Sequence, residues 1–593
     1  MFVAFLRLVI VYGELKRVES TRDLIAKLSD SLRCSAKFTE GTQTSAPPLS
    51  SRAAASPRTG ALIELGELVQ GILDDEFHKD GRDVWGGIQE ICGEALLNCG
   101  KLFLSSCSSA LVHLRNLRQN LEILSGLTLP RHVTIHVPEG YAYYAVYPEL
   151  YAEAAVRLAK SPLRGFSVIG LRSIGTSLAG VVAAALGASA LPVTLRPTGD
   201  PFERRLKIAE SLEAKLLAEA HQLVYAIVDE GPGLSGSSFR AVCHWLEERG
   251  VSRSRIVLFP SHPGEPGRSA SDAHRSEWRN FRKTVVPFEE YFDQELRHVE
   301  DISGGRWRKK LLPDPESWPA SFPQQERRKY LFKDGTKTYL AKFAGLGRYG
   351  KEKLARAKLF AEAGFAPEVM GYHSGFVLMR WYENAVPCGD WMTKRHREGL
   401  VVSAGKYLSM IRQQFRSLDD STGASVRQLF EMAAANSREK FGNALDRGLK
   451  TIEALIENVA GAVVHTATDN KMHAWEWIRL PDGRFLKTDG LDHHSSHDIV
   501  GCQDIAWDIV AAKIELCLTD SEFENFLAFV GSREPRGEWF SPEKERFFNV
   551  CYLAFQMGCF SNAAQCMSHD PEERARLQRA SDRYAFRLAD RLR

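Results

Sequence analysis

Short apolar runs alternate with helical segments between residues 132 and 260, and this alternation restricts the possible folds more than any other feature. The runs are six or seven residues long, a length that suits buried strands, and the segments between them carry helical periodicity. The pattern predicts an α/β fold with a doubly wound parallel sheet. In such sheets, ligands bind at the loops beyond the carboxyl ends of the strands.

The N-terminal part of the chain changes composition twice before this region. Residues 1–58 are predicted to be a partly disordered N-terminal extension, because 37–58 are rich in Ser, Thr, Ala and Pro. Ordered structure is expected to start near Thr59. Residues 59–300 then form the first domain, whose N-terminal part is helical.

A second change of composition follows the α/β region. Residues 301–326 are rich in Trp, Pro and charge, which predicts a linker. Residues 327–593 are expected to form a second, α+β domain with two lobes. It opens with two strands around Lys333-Asp334-Gly335, a good hairpin signal.

The overall charge and the cysteine pattern argue against several classes of protein. The formal net charge is only +3, whereas dedicated nucleic-acid binders usually carry a strongly basic face. No apolar stretch approaches the roughly 18 to 20 residues that span a bilayer. Eleven cysteines are scattered without a CxxC pair, which is typical of reduced thiols. We therefore expect a cytoplasmic protein with a small-molecule ligand, with no nucleic acid as its main ligand and no membrane partner.

The apolar run at 223–228 ends in two adjacent acids, Asp229 and Glu230, and a Gly- and Ser-rich turn leads from them into a helix. Two carboxylates at a strand end can accept hydrogen bonds from the two hydroxyls of a ribose. Glycines let a backbone approach a ligand closely, and the N–H groups of a helix N-terminus favour a phosphate. The turn residues predicted to bind a sugar phosphate are Gly233, Ser235, Gly236, Ser237 and Ser238.

The run VDEGPGLSGSS resembles the phosphoribosyl pyrophosphate (PRPP) signature of type I phosphoribosyltransferases, with one extra residue before Ser235-Gly236. The resemblance implies PRPP as the substrate, Mg²⁺ as a bridging ion, and Asp229 and Glu230 as the catalytic residues. It also implies displacement of pyrophosphate from ribose C1 by an acceptor that the sequence does not identify.

Two further turns suit the same family. Type I enzymes carry a pyrophosphate-binding loop after an earlier strand, and the turn after 165–171 lies where that loop is expected. Residues 196–200, which precede Arg204 and Arg205, are either the family's mobile loop or the solvated start of a helix. The predicted ligand-binding residues of the first of these turns are Arg172, Ser173, Gly175 and Thr176.

An apolar strand in the second domain contains a lysine, Lys342. A strand lysine that points into a cleft can hold nucleotide phosphates, so we predict that Lys342 binds ATP. Glu352 on the following helix is expected to pair with Lys342, with Glu362 as the alternative.

A resemblance to aminoglycoside-phosphotransferase and protein-kinase-like folds is carried by the run HTATDNKMHAWEWIRLPDGRFLKTDGLDHHSSHDIVGCQDIAWD. It implies Asp469 as the catalytic-loop acid and Asp489, twenty residues later, as a Mg²⁺ ligand. Ala474 stands where the family has Asn, so Glu476 is predicted as the second metal ligand. Asp504 in DIAWD matches the family's structural acid.

Together, the two halves predict a two-domain transferase that couples ribosyl transfer from PRPP with phosphotransfer to a small molecule. One alternative is a nucleotide-sensing regulatory protein without turnover. Another is a metal-dependent enzyme built on His493, His494 and His497, which lie among aspartates. The pattern GLGRYG at 345–350 also fits a dinucleotide-binding fingerprint.

Overall fold

The structure is a computed structural model that describes residues 16–37, 57–233, 235–267, 270–389, 392–416, 423–495, 500–531 and 536–593. Most of the Ser- and Pro-rich segment predicted to be disordered lies outside these ranges. Within them the chain forms one parallel sheet, several antiparallel sheets and a large helical part.

The N-terminal residues are packed into the fold. Strand β1 pairs antiparallel with β2, and Leu24, Leu28 and Leu32 are buried in the core of the N-terminal helices. The expectation that ordered structure starts near Thr59 is therefore wrong, because apolar residues four apart give the first helix a face to bury. The elements of this part are β1 (Lys16–Ser20), α1 (Thr21–Lys37), α2 (Pro57–Asp80), α3 (Gly87–Leu104), α4 (Cys107–Gly126) and β2 (His132–His136).

A parallel sheet forms the centre of the first half. Its elements and the short helices before it are α5 (Glu139–Ala142), α6 (Pro148–Ala159), β3 (Phe166–Leu171), α7 (Ile174–Leu186), β4 (Val193–Leu195), α8 (Glu210–Leu217), β5 (Val224–Val228), α9 (Ser237–Glu247), β6 (Ile256–Phe259), α10 (Asp272–Asn280) and β7 (Arg282–Lys283). The strand order is β4-β3-β5-β6-β7, and every neighbouring pair is parallel. The order reverses between β3 and β5, as in a doubly wound sheet.

Helices cover both faces of this sheet, because the strands are apolar on both sides. Helices α6 and α7 pack on the face that contains Val168 and Ala226. Helices α8, α9 and α10 pack on the face that contains Ile169 and Ile227. The reversal between β3 and β5 leaves a crevice where these two strands end.

The charged segment that follows β4 is helical over a shorter range than its sequence predicts, from Glu210 to Leu217. Residues 204–209 are not helical. Their backbone pairs with that of Asp83, whose N–H donates to Lys207 O at 2.7 Å and whose carbonyl oxygen accepts from Ala209 N at 2.8 Å. Only the C-terminal part of the charged segment, α8, is helical.

An antiparallel sheet opens the second half, with strand order β11-β12-β10-β9-β8. The elements are α11 (Phe288–Tyr291), α12 (Asp293–Leu296), β8 (Glu300–Asp301), α13 (Arg308–Leu311), β9 (Lys329–Asp334), β10 (Lys337–Phe343), α14 (Gly347–Glu362), β11 (Val369–His373) and β12 (Phe376–Arg380). Strands β9 and β10 form the predicted hairpin, with Gly335 at φ +60°. The dinucleotide reading of 345–350 is wrong, because β10 belongs to an antiparallel sheet and no βαβ unit follows.

The remaining residues are mostly helical and bury Trp507 and Tyr552 in one large core. The elements are β13 (Val386–Pro387), α15 (Lys394–Gln414), α16 (Val426–Phe441), α17 (Asp446–Glu453), α18 (Ile456–Ala460), β14 (His465–Thr466), β15 (Trp477–Arg479), β16 (Phe485–Lys487), β17 (Gln503–Asp504), α19 (Ala506–Glu515), α20 (Asp520–Gly531), α21 (Arg536–Trp539), α22 (Pro542–Cys566) and α23 (Pro571–Leu592). Among the described residues, no helix is both long enough and apolar enough to cross a membrane.

The two halves share one aromatic cluster. The ring of Tyr147 lies 5.7 Å from that of Phe288, 5.2 Å from that of Phe292 and 6.2 Å from that of Phe343 of β10. The ring of Phe343 in turn lies 5.4 Å from that of Phe376 of β12. We call these five residues the shared aromatic cluster.

The segment predicted to be a linker also packs against the second half. Strand β8 pairs with β9, and Arg308 forms a buried ion pair with Glu573 of α23 at 2.9 Å. The segment that connects the two halves is therefore a packed part of the second half.

Candidate active sites

A cavity of about 1160 Å³ opens at the carboxyl ends of β3 and β5. Because these two strands are neighbours, the turn after each of them reaches the same crevice. The sequence-predicted residues that line the cavity are Arg172, Ser173, Asp229, Glu230 and Gly233. The structure thus brings together the two turns that sequence reasoning proposed separately.

The acidic pair is half-buried on the wall of this first cavity. Desolvation raises the pKa of Asp229 to about 7. Desolvation, together with the carboxylates of Glu139 and Asp229, holds the pKa of Glu230 well above its usual range. Gly140 N donates to Glu230 Oε2 at 2.8 Å, and the hydroxyl of Tyr151 donates to the backbone oxygen of Asp229 at 2.9 Å. A cation or hydroxyl donors bound in the cavity would favour the ionised form of both carboxyls.

The guanidinium of Arg172 is committed to the protein core. Its Nη2 lies 2.5 Å from Asp83 Oδ1, its Nη1 lies 3.3 Å from Asp74 Oδ1, and its Nε donates to Thr194 Oγ1 at 3.1 Å. The side chain is 1% exposed. Two buried carboxylates therefore already hold this guanidinium, and binding of pyrophosphate oxygens by Arg172 stays a prediction.

Arg196 belongs to the same ion-pair network. Its Nε donates to Asp74 Oδ1 at 2.7 Å, and its backbone N donates to Asp83 Oδ2 at 2.9 Å. Burial alone would raise the pKa of Asp74, but Arg196 and Arg172 outweigh it and lower that pKa. At Asp83 burial prevails and the pKa is raised. This network fixes the start of the segment predicted to be a mobile loop.

Gly175 and Thr176 lie in the first turn of α7 and do not line the cavity. A Cβ atom on Gly175 would lie 2.5 Å from the backbone oxygen of Val228, so glycine here permits close packing of α7 on β5. Thr176 is completely buried, and its hydroxyl has no hydrogen-bond partner among the described residues. Neither residue contacts this cavity in the structure, and their role as ligand-binding residues stays a prediction.

The turn after the acidic pair is held by its own side chains. The hydroxyls of Ser235 and Ser237 donate to the backbone oxygen of Pro201 at 2.9 and 2.7 Å. A Cβ on Gly236 would lie 2.8 Å from Pro266 Cγ. These contacts engage the two serines within the protein, and their role in binding a sugar phosphate stays a prediction. Of the five turn residues proposed, all of them within the described ranges, Gly233 alone lines the cavity, and Ser235, Gly236, Ser237 and Ser238 do not.

A second cavity, of about 240 Å³, lies between the antiparallel sheet and the helical part. Lys342 of β10 and Asp489 after β16 both line it, and Lys342 Nζ donates to Asp489 Oδ1. Burial alone would raise the pKa of Asp489, but Lys342, His493 and Lys329 hold it well below its usual range. The predicted phosphate-binding lysine and the predicted metal ligand therefore meet at one place.

Asp492 links Lys342 to helix α14. Its Oδ1 lies 3.8 Å from Lys342 Nζ, and its Oδ2 lies 3.5 Å from Lys353 Nζ and 3.2 Å from Arg327 Nε. These three cations outweigh burial and hold the pKa of Asp492 well below its usual range. Burial, only partly offset by Asp492, lowers the pKa of Lys353 to about 7.

The pair expected between Lys342 and Glu352 is wrong. The side chain of Glu352 is 55% exposed and lies 3.7 Å from Arg17 Nη2. Glu362, the alternative, is exposed as well. Helix α14 instead directs Lys353 into the interior. A carboxylate of the loop after Asp489, that of Asp492, lies near both Lys342 and Lys353.

Asp469 is completely buried and does not line the second cavity. Its Oδ2 accepts a hydrogen bond from the Tyr407 hydroxyl at 2.6 Å and lies 3.2 Å from Lys487 Nζ, while its Oδ1 lies 3.1 Å from His493 Nδ1. Burial alone would raise the pKa of Asp469, but Lys487 and His493 lower it. These three partners enclose the carboxylate, and the catalytic role of Asp469 stays a prediction.

The structural acid of the DIAWD run is Asp508. Its two carboxylate oxygens accept hydrogen bonds from the backbone N–H groups of Asp469 and Asn470. Burial, together with the charge of Asp469, raises the pKa of Asp508 to about 7. Asp504, the residue proposed from the sequence, accepts from Lys544 Nζ at 2.8 Å and from Val464 N at 2.9 Å.

Glu476 lines the second cavity close to Asp489. Lys487 Nζ lies 2.5 Å from Glu476 Oε2 and also donates to the backbone oxygen of Asp489. The side chains of Glu476 and Asp489 keep 14% and 21% of their surface exposed, so both can reach a ligand. Carboxylate oxygens are the donors that Mg²⁺ prefers. Among the described residues, the groups close enough to share one ion are Asp489 with Asp492 and His493, and Glu476 with Asp469 and His493.

The histidines of the alternative metal site do not converge. His493 lies 3.5 Å from Asp489 Oδ1 through Nε2, and it belongs to both groups of side chains close enough to hold a metal. His494 lines another cavity with Lys353 and Arg356, where burial and the charge of Arg356 hold its pKa well below its usual range. His497 lies outside the described residues. Within the part of the chain that the structure describes, the metal-enzyme alternative is therefore represented by His493 with carboxylates.

His473 and Glu515 form a buried pair on the wall of the second cavity, which sequence reasoning missed. His473 Nδ1 lies 2.9 Å from Glu515 Oε2. Glu515 also accepts hydrogen bonds from the hydroxyls of Tyr552 at 2.7 Å and Tyr584 at 2.9 Å. Glu515 stands seven residues after Asp508 on α19, so one face of that helix holds both ends of the loop 469–473. The spacing of Asp508 and Glu515 is the feature of the sequence that could have indicated this pair.

Solved structures of small-molecule kinases resemble about half of this chain. A choline kinase from Streptococcus pneumoniae is 17% identical, with 44% of this chain and 89% of its own covered and a TM-score of 0.31. A spectinomycin phosphotransferase in complex with ADP and spectinomycin is 12% identical, with 49% and 93% covered and a TM-score of 0.33. An ethanolamine kinase from Plasmodium vivax is 9% identical, with 45% and 81% covered and a TM-score of 0.31.

No protein-family model matches the chain, and no curated protein sequence does. The solved structures are all below 25% identity and below a TM-score of 0.5. Any activity must therefore be inferred from the side chains of the two cavities.

Proposed function

We propose that the second cavity is the site of an ATP-dependent phosphotransferase that acts on a small molecule. The observation that carries this proposal is that Lys342 lines one cavity with Asp489, which lies 147 residues later in the chain, and with Glu476. A lysine on a strand can hold nucleotide phosphates, and carboxylates can hold the Mg²⁺ that accompanies them. The reaction class follows from this set of side chains.

Mg²⁺ held by Asp489 and Glu476 would neutralise charge on the transferred phosphoryl group. Lys342 would orient the nucleotide phosphates once they replace Asp489 as its partner. Lys487, which Asp469 holds at 3.2 Å, keeps the two metal-binding carboxylates in place through its contacts with Glu476 and with the backbone of Asp489.

The test is a calorimetric titration of ATP with Mg²⁺ into the wild type and two lysine variants. Lys342→Met should bind ATP at least about tenfold more weakly, a loss of about 1.4 kcal/mol. Lys337→Met is the matched control, because Lys337 lies on the same strand and is exposed. Equal affinity of wild type and Lys342→Met would contradict the proposal.

We further propose that the first cavity binds a sugar phosphate and that PRPP is its ligand. Support comes from Asp229 and Glu230, which face a cavity of about 1160 Å³ beside Ser173 at the reversal of a parallel sheet. Ribose hydroxyls would meet the two acids, with Mg²⁺ as counter-ion, and an acceptor would displace pyrophosphate from ribose C1. Two transferase sites in one chain would serve linked steps on one small molecule.

The first measurement for this cavity is a titration of PRPP with Mg²⁺ into the wild type and Asp229→Asn. Binding to the wild type alone would support the proposal, and pyrophosphate release with a panel of acceptors would then identify the reaction. Binding without release would favour the nucleotide-sensing alternative. Absence of binding to either protein would contradict the PRPP site and leave the phosphotransferase proposal untouched.

A further inference from the structure

A third cavity, of about 350 Å³, lies where helix α14 meets strand β1 and the loop after Asp489. Its volume falls within the range of sites for small molecules. Among the described residues that line it, four side chains are cationic and one is acidic, and that acid, Glu352, is mostly exposed. The four cations are Lys16, Arg17, Lys353 and Arg356. The charge of this cavity therefore favours an anion.

Arg356 of α14 is buried in the wall of this third cavity and is only 5% exposed. Its Nε donates to Gly490 O at 2.9 Å, and its Nη2 donates to Ala467 O at 2.8 Å. Among the described residues, these two backbone oxygens are its hydrogen-bond partners, and it forms no ion pair. Its Nη1 has no partner and keeps some solvent exposure, so it can reach a ligand.

The other buried arginines in the described part of the chain each contact a carboxylate. They are Arg172 with Asp83, Arg308 with Glu573, and Arg327 with Asp492. A buried charge is costly unless an opposite charge accompanies it. Burial lowers the pKa of Arg356 more than its surroundings raise it. An anion bound beside this guanidinium would supply the counter-charge that the described residues do not.

Two further polar side chains line the buried part of the third cavity. Lys353 stands three residues before Arg356, so both side chains lie on one face of α14. Lys353 Nζ donates to Ala142 O at 2.7 Å and lies 3.5 Å from Asp492 Oδ2. His494 Nδ1 has no hydrogen-bond partner among the described residues. These nitrogens together suit the oxygens of a phosphate or a carboxylate.

We propose that the third cavity binds a small molecule with an oxyanion head, a phosphate or a carboxylate, and a compact apolar body. The head would contact Arg356 Nη1, and apolar and aromatic side chains would enclose the body. These side chains are Val137, Tyr143, Tyr349, Leu359, Phe415 and Leu491. Among the described residues, the third cavity shares no lining residue with the second cavity. The proposal therefore does not depend on the phosphotransferase function.

The test is a calorimetric titration of the full chain with two probes, phenyl phosphate and benzoate. At least one of them should bind to the wild type, and the preferred probe identifies the head as phosphate or carboxylate. Each probe is compared with its head alone, inorganic phosphate or acetate. The head alone should bind at least about tenfold more weakly, because it lacks the apolar body that the cavity encloses.

Two variants locate the probe. Ala355 lies on α14, lines the third cavity and is exposed, so Ala355→Glu adds a carboxylate beside the cations without removing a hydrogen bond. This variant should bind the probe at least about tenfold more weakly. Ala363→Glu, exposed at the C-terminal end of α14 and outside the cavity, is the matched control and should bind as the wild type does.

Arg356→Met should lose the same affinity, because it removes the guanidinium that the head contacts. Arg356 also holds two backbone oxygens, so far-ultraviolet circular dichroism and thermal unfolding check that this variant is folded. If it is unfolded, Ala355→Glu decides, since that change leaves Arg356 in place.

Saturating ATP or PRPP, each with Mg²⁺, should not compete with the probe. Competition by either would place the probe in the second or the first cavity and overturn the proposal. The proposal is also overturned if neither probe binds to the wild type, or if Ala355→Glu binds the probe as tightly as the wild type does. Failure of ATP to bind would contradict the phosphotransferase proposal and leave this one standing.

Discussion

The carboxylate of Asp508 accepts hydrogen bonds from the backbone N–H groups of both Asp469 and Asn470, at 2.7 and 2.8 Å. All three residues are buried, and Asn470 has a left-handed backbone conformation at φ +65°. A single side chain therefore fixes the turn from which the wall of the second cavity begins.

Replacement of Asp508 should unfold this turn. Asp508→Ala leaves two buried N–H groups without an acceptor, and each costs about 1–3 kcal/mol, so the free energy of unfolding should fall by at least about 2 kcal/mol. Chemical denaturation measures the loss. Asp590→Ala, at an exposed position on α23, should change it by less than about 0.5 kcal/mol. An Asp508→Ala protein as stable as the wild type would show that water replaces the carboxylate.

The acidic pair of the first cavity should destabilise the fold at neutral pH. Asp229 has a pKa of about 7 in the folded protein, above its usual value. Between roughly pH 4 and pH 7 the folded state keeps a proton that the unfolded chain has lost, so stability falls as the pH rises through this window. Asp229→Asn removes this effect. The variant should exceed the wild type in stability at pH 8, and the difference between the two proteins should be smaller at pH 5.

The size of this effect is expected to be at least about 1 kcal/mol at pH 8, roughly one pKa unit. Urea denaturation of both proteins at the two pH values measures it. Asp80→Asn is the control, because Asp80 is exposed at the end of α2. A pH dependence that is the same in wild type and Asp229→Asn would mean that Asp229 ionises freely in the fold.

Helices α3 and α7 touch through their backbones. A Cβ on Gly180 would lie 2.3 Å from the backbone oxygen of Leu96, and one on Gly100 would lie 2.1 Å from that of Gly180. Gly180→Ala should therefore push the helices apart and cost about 1–3 kcal/mol or more. Gly60→Ala is the control, because a Cβ there meets nothing within 4 Å and alanine favours a helix by about 0.5–1 kcal/mol. Equal thermal stability of the two variants would refute this packing.

The ion pair between Arg308 and Glu573 should hold the connecting segment to α23. Both Nη atoms of Arg308 contact the carboxylate, at 3.1 and 2.9 Å. Arg308→Ala leaves the buried carboxylate of Glu573 with Arg576, at 3.2 Å, as its remaining cation, and should cost about 1.5–3 kcal/mol. Arg306→Ala removes an exposed pair with Asp301 and should cost at most about 1 kcal/mol. Chemical denaturation of both variants measures the loss in the free energy of unfolding. A loss in Arg308→Ala as small as that in Arg306→Ala would show that this ion pair does not hold the segment to α23.

The parallel sheet and the hairpin could be predicted from the sequence because their signals are local. A parallel strand buried on both faces, such as Val224–Val228, appears as a continuous apolar run. The turn at Gly335 requires a positive φ that glycine adopts without strain. The acids at 229–230 could be placed for the same reason, since the end of a strand in such a sheet determines where they lie.

The partners of the charged residues could not be predicted, because they are distant along the chain. Arg172 is held by Asp74, which lies 98 residues away, and no local pattern indicates which arginine faces a cavity. The sequence likewise gives the positions of Asp469 and Asp508 in the chain, but not that Asp508 accepts hydrogen bonds from the backbone of Asp469. His473 was missed for the same reason, since its meaning depends on Glu515, which lies 42 residues later.

The shared aromatic cluster makes the two halves of the chain inseparable as building blocks. A protein cut near residue 300 would separate Tyr147, Phe288 and Phe292 from Phe343, which contacts the ring of Tyr147, and from Phe376, which contacts Phe343. Each fragment would carry a sticky apolar surface and tend to aggregate. If one half were replaced by the corresponding half of a related protein, the replacement would need aromatic residues that fit this cluster. The two cavities are therefore expected to stay together in one protein.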